Sequence, residues 1–109
     1  MEEKVLGKID FAQYGMIKDY PYLFGLLLGF KLGDGCGVMC GGKYTVNLSK
    51  ECRWEERERQ TAIVESVENV YRILKEAKCN YVSELLNKPV EVTIERNTFK
   101  SFRILTEVL

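Results

Sequence analysis

Between Lys31 and Lys43 the chain reads KLGDGCGVMCGGK, and this stretch concentrates side chains suited to chemistry: two thiols, a carboxylate and five glycines, closed by a lysine. Cys36 and Cys40 have a spacing found in pairs of zinc ligands. A closed zinc site needs two more ligands, yet Cys52 and Cys79 stand apart and the chain has no histidine. Two readings therefore stand: a zinc-stabilised interaction module that uses Cys36 and Cys40, or reduced thiols of which some are buried as small apolar side chains. The segment Gly37 to Lys43, GVMCGGK, also begins like a phosphate-binding loop. It departs at Tyr44, where Ser or Thr would reach the metal ion, and the following YTVNL suits a strand instead of a helix with aligned amides at its N-terminus. The spacing Gly33, Gly35, Val38 likewise lacks the third glycine of a dinucleotide fingerprint. What remains is simpler anion chemistry. Backbone N–H groups around Gly33, Asp34, Gly35, Gly41 and Gly42 would face a phosphate, with Lys43 and Arg103 as fixed cations. The competing reading is a turn, because Asp34 beside Gly35 is a common hairpin pair.

Catalysis has little to work with. Without histidine there is no Ser-His or Cys-His pair and no side chain that ordinarily titrates near neutrality as a general base. A small enzyme would have to rely on Asp34 or a reactive thiol, so the expectation is a non-enzymatic protein without a cofactor. Two aromatic features could instead serve recognition. Trp54, the single tryptophan, is either a core anchor or an interaction hot spot. Tyr20 and Tyr22, with Tyr14 nearby, either stack on a ligand or cover a sheet edge.

The elements that must hold these groups follow from periodicity. The start, KVLGKIDFAQYG, sets Val5, Gly7, Ile9 and Phe11 on one alternating face. Leu23 to Phe30 is apolar on both faces and reads as a central strand, with Gly25 and Gly29 marking bends or close neighbours. A third strand is expected in KYTVNL after the glycine-rich connection. From about Trp54 to Lys78 there is neither Gly nor Pro, and Ile63, Val67, Val70, Tyr71 and Leu74 recur at helical spacing. Acidic residues open that segment and lysines close it, as the helix dipole favours. CNYVSELLNK is expected to form a short helical turn. Val90, Val92 and Ile94, then Phe102, Ile104 and Val108, define a closing hairpin that turns at Arg96 and Asn97. The predicted fold is α+β: an antiparallel sheet of about five strands, ordered β-β-β-α-β-β, packed against one long helix plus a short helical turn.

The 109 residues suit one domain, 1–109, able to fold without disulfides or metal. Sixteen basic residues balance sixteen acidic ones, so no net positive field draws the chain to nucleic acid. No apolar run approaches the roughly 20 residues that span a bilayer, and no secretory signal is visible, so the expected compartment is the cytoplasm.

The C-terminal segment LLNKPVEVTIERNTFKSFRILTEVL resembles the end of a family of small phage and prophage proteins without assigned activity. Lys88 to Thr93, Asn97 and Lys100 to Leu109 carry the likeness. Ile9 to Gly15, the glycine-rich hairpin and Trp54 to Glu56 extend it more loosely, while the loop cysteines and Phe102, where tryptophan is familiar, depart from the pattern. The resemblance implies a phage-encoded accessory protein of the host-cell cytoplasm and brings no catalytic residues. By analogy with small phage proteins, it would counter host defence by binding a defence protein or sequestering a nucleotide signal, as a homo-oligomer.

Overall fold

A computed structural model describes residues 2–33, 35–41, 43–49 and 55–108, with no side-chain description at 108. Strands β1 (Glu2–Ile17) and β2 (Tyr20–Leu32) form a long hairpin, followed by short strands β3 (Gly37–Met39) and β4 (Thr45–Asn47). Helix α1 (Glu56–Glu76) leads through a 3-10 turn (Val82–Leu85) to the hairpin of β5 (Pro89–Glu95) and β6 (Thr98–Ile104). The antiparallel sheet runs β3-β2-β1-β5-β6, and β4 also pairs with β2. This is the expected α+β arrangement. No helix among the described residues is long and apolar enough to cross a membrane.

The added strand lies in the glycine-rich connection. Gly37, Val38 and Met39 pair with Lys31, Phe30 and Gly29, while Thr45, Val46 and Asn47 pair with Gly25, Phe24 and Leu23. β3 and β4 thus lie end to end along one side of β2, a single edge interrupted by residues 40–44. Val38 is a lone strand former among glycines, and β2 makes the segment a strand by offering a backbone to pair with.

Val5 and Gly7 in β1 face Val92 and Val90 in β5, as their alternation predicts. Phe11 departs from that face. A bulge between Ile9 and Phe11 reverses the parity, so Ala12 takes the inward position and packs against the core. At the other end of the chain, Val108 does not continue the alternation of Phe102 and Ile104. β5 begins at Pro89, and the ladder ends with Leu105 N–H donating to its carbonyl at 3.0 Å, so Thr106–Val108 turns into 3-10 geometry.

The sheet is curled. Phe30 in β2 stacks on Phe99 and tilts against Phe102 in β6, with ring centroids 5.4 and 5.1 Å apart. Between β2 and β6 lie β1 and β5, and three strand spacings in a flat sheet would separate the rings by about 14 Å. Lys43, in the turn between β3 and β4, closes this approach by donating to the carbonyl of Lys100 and placing its ammonium 5.7 Å from the Phe99 ring centre. The core fills the concave side, where Leu26, Leu28, Phe30 and Leu32 alternate along β2 and Ile73 and Ala77 descend from α1.

Tyr44 belongs to this core, its ring edge against Phe102, and no described residue hydrogen-bonds its hydroxyl. Burial, reinforced by the Cys40 thiol, pushes its phenol up to about 12. The folded state therefore resists ionisation that the unfolded chain permits above about pH 10. That contribution is fully present below about pH 10 and is lost as pH rises through about 12, a span worth about 2–3 kcal/mol. Tyr44→Phe should match the native chain in urea midpoint at pH 8 and exceed it increasingly above pH 10. Parallel alkaline decline in both proteins would contradict this.

Candidate functional site

The glycine-rich loop was the leading candidate in the sequence. Asp34 and Gly42 lie outside the described residues. Gly33 N–H donates to the Leu6 carbonyl and Gly35 N–H to the Leu32 carbonyl, each at 2.9 Å, so the first amide ties the end of β2 to β1 and the second closes the turn toward β3. Lys43 is engaged with Lys100 and Phe99, on the concave side. Arg103 lies between Phe102 and Ile104 on the opposite face, where it pairs with Glu91 at 3.7 Å and Glu107 at 3.3 Å. The structure therefore does not bring Lys43 and Arg103 together around one anion.

The cysteines part in the same way. Cys40 is 5% exposed, and its sulfur accepts the Leu28 N–H at 3.2 Å. Burial pushes its thiol pKa up, which disfavours the thiolate that would attack or bind metal. Cys36 is exposed, and Cys79 points its thiol toward the Ala77 and Glu84 carbonyls at 3.5 Å. Among the described residues no group of three or more Cys, Asp or Glu is placed to hold an ion, and Cys52 lies outside them.

Tyr20 and Tyr22 remain exposed and meet edge to face, their ring centroids 6.2 Å apart. Tyr20 joins Gly41, from the other half of the predicted set, around an apolar hollow of about 250 Å³ that Ile17, Leu23, Leu27 and Thr45 complete. That volume falls just below the roughly 300 Å³ at which small-molecule sites begin. Trp54 lies outside the described residues.

No family model, curated protein or solved structure matches this chain.

Two surfaces not singled out in the sequence are more open to a partner. The first is the outer side of α1. Its core-facing line is Ser66, Ile73 and Ala77, with Ile63, Val70 and Leu74 half-buried beside it. Val67 and Tyr71, expected on the packed face, lie outside it at 55% and 66% exposure, joined by Val64 at 54%. At about 100° per residue, Val67 and Tyr71 sit roughly 100° and 140° around the helix from Ser66, beyond what the curled sheet can cover. Lys75 holds its ammonium 5.8 Å from the Tyr71 ring centre, leaving the apolar stripe with a cationic end. The sequence signal was an apolar arc wider than one packed face needs, which cannot by itself tell a deeply buried helix from one with two partners.

The second surface is a groove of about 640 Å³ along the outer edge of β1, from Phe11 to Lys18, with Val82 and Ser83 on its far side. β5 pairs with β1 only from Glu2 to Lys8, and one further step is filled by Ile9 exchanging hydrogen bonds with Asn87 and Lys88. Beyond that point no described strand lies alongside.

Proposed function

We propose that this chain is a non-enzymatic phage or prophage accessory protein that counters host defence by occupying a defence protein in the host cytoplasm. The observation that carries the binding part is the stripe of Val64, Val67 and Tyr71, apolar side chains on the outside of a helix whose packed face is already complete. The phage and counter-defence parts rest on the likeness of the C-terminal hairpin to phage proteins. An apolar stripe on a helix, flanked by Glu65 and Glu68 and ended by Lys75, suits a protein groove better than a small ligand.

Nucleotide sequestration draws less support, because the Gly33 and Gly35 amides and Arg103 already have partners within the chain. A zinc-stabilised module draws less as well, since Cys40 turns its sulfur into the core.

The test is phage plating on hosts that each carry one defined defence system, with and without the protein. Restored plaque formation on at least one such host is expected, and Val64→Asp with Tyr71→Ala should abolish it while the variant stays folded and equally abundant. Plating left unchanged on every host, or rescue that survives the substitutions, would count against the proposal.

A further inference from the structure

We infer that the free edge of β1 pairs antiparallel with the same edge of a second copy, in the register that sets Tyr14 opposite Tyr14. The backbone makes the edge available. Leu26 N–H bonds the Tyr44 carbonyl and Cys40 N–H bonds the Leu28 carbonyl, so even-numbered residues of β2 turn their polar groups toward β3 and β4. Odd-numbered residues, Gly25, Leu27 and Gly29, are left to bond β1, where their partners are Gly15, Gln13 and Phe11. Ala12, Tyr14 and Met16 consequently point N–H and C=O outward, away from β2. None of these groups bonds a described residue.

Sheet edges left open in a folded protein are usually guarded by a proline, an inward charge or a covering segment. From Phe11 to Ile17 the sequence FAQYGMI has none of the first two, and Met16 is 72% exposed. A bare edge of this kind needs a strand, and the flanking charges say which. Reading outward from Tyr14 in a two-fold antiparallel pair, Gln13 faces Gly15, Ala12 faces Met16 and Phe11 faces Ile17, and the oppositely charged Asp10, at the bulge, and Lys18, just past the end of β1, come to the same end of the pair. Every outward N–H then meets an outward C=O. The opposite charges at the two ends meet twice, once on each side of the axis. Moving the register by two residues in either direction loses the Asp10–Lys18 match and strands at least one outward residue. The segment is thus complementary to itself in charge, hydrogen bonding and polarity, which an arbitrary foreign strand would have no reason to be. The groove beside the edge gives the incoming strand room.

Opposed residues of such a pair project from the same side of the sheet, so both α1 helices lie on one face of a continuous two-copy sheet.

Sedimentation velocity of the purified full chain, from low to high micromolar, tests the inference. A reversible dimer is expected. Ala12→Pro removes an outward donor without touching the β1–β2 ladder and should leave a monomer with an unchanged circular dichroism spectrum. Lys18→Asp turns both charge pairs repulsive and should weaken the dimer about tenfold, and Asp10→Lys combined with Lys18→Asp should restore it. The charge series decides the matter if the proline variant fails to fold. A chain that stays monomeric throughout overturns the inference and leaves the edge to a foreign strand. A dimer indifferent to both Ala12→Pro and the charge reversal also overturns it, by placing the contact elsewhere.

Discussion

Gly25→Ala should lower the free energy of unfolding by roughly 3–5 kcal/mol, combining a backbone held where L-residues are strained with a collision against main chain. Gly25 has φ +153, and β4 crosses so close that an added Cβ would sit 2.8 Å from the Thr45 Cα and closer still to the Tyr44 carbonyl oxygen. Neither atom can swing aside as the end of a side chain would, so β4 must retreat from β2. That movement would also loosen Tyr44 and the Leu26 N–H bond to its carbonyl. Gly15 separates the two causes. It has nearly the same φ, +154, but nothing lies within 4 Å of its added Cβ. Gly15→Ala should therefore cost about 1–2 kcal/mol, the conformational part alone. Urea unfolding of both variants, at a concentration where each is monomeric, supplies the comparison. Equal losses would mean that the close approach of β4 contributes nothing.

The two glycines also mark how far sequence reasoning reaches. Alternation at Val5, Gly7 and Ile9 identifies a strand and its inward face because that pattern is local. The bulge at Asp10 is not local. It depends on how β1 must bend to keep pairing with β2, and it reassigns Phe11 and every residue after it. The same limit applies to α1. Ile63, Val67, Val70, Tyr71 and Leu74 announce a helix, but the curl of the sheet decides which of them it covers, and the curl is a property of all the strands together. The loop from Lys31 to Lys43 shows the reverse error. Its glycines, thiols and lysine look chemical in isolation, whereas in the fold Gly33, Gly35, Cys40 and Lys43 are spent on joining β2 to β1, to the edge beside it and to β6. The surfaces that remain open, the outer stripe of α1 and the edge of β1, consist of ordinary residues. Only knowing what the rest of the chain does not cover brings them into view.

Phe30→Ala should be the most damaging truncation in the core, costing about 3–5 kcal/mol in unfolding free energy. Phe30 is 1% exposed and lies against Phe99 and Phe102, so truncation removes the ring on which the curl of the sheet converges. The consequence should be regional as well as global. β5 and β6 are joined to the long hairpin by the β1–β5 ladder, by this aromatic cluster and by Lys43, whose seat over Phe99 depends on the same cluster, with an exposed cluster of Lys100, Glu2 and Glu95 adding little at the surface. With the cluster gone, the β5–β6 hairpin can swing away while β1, β2 and their own ladder stay paired. Native-state hydrogen exchange should then show the ladder amides of β6 losing protection more than those of Leu27 and Gly29 in β2. Phe30→Leu refills much of the space and should recover at least half of the loss. Uniform loss of protection across both hairpins would instead mean that the sheet opens as one cooperative unit and that the curl does not depend on Phe30.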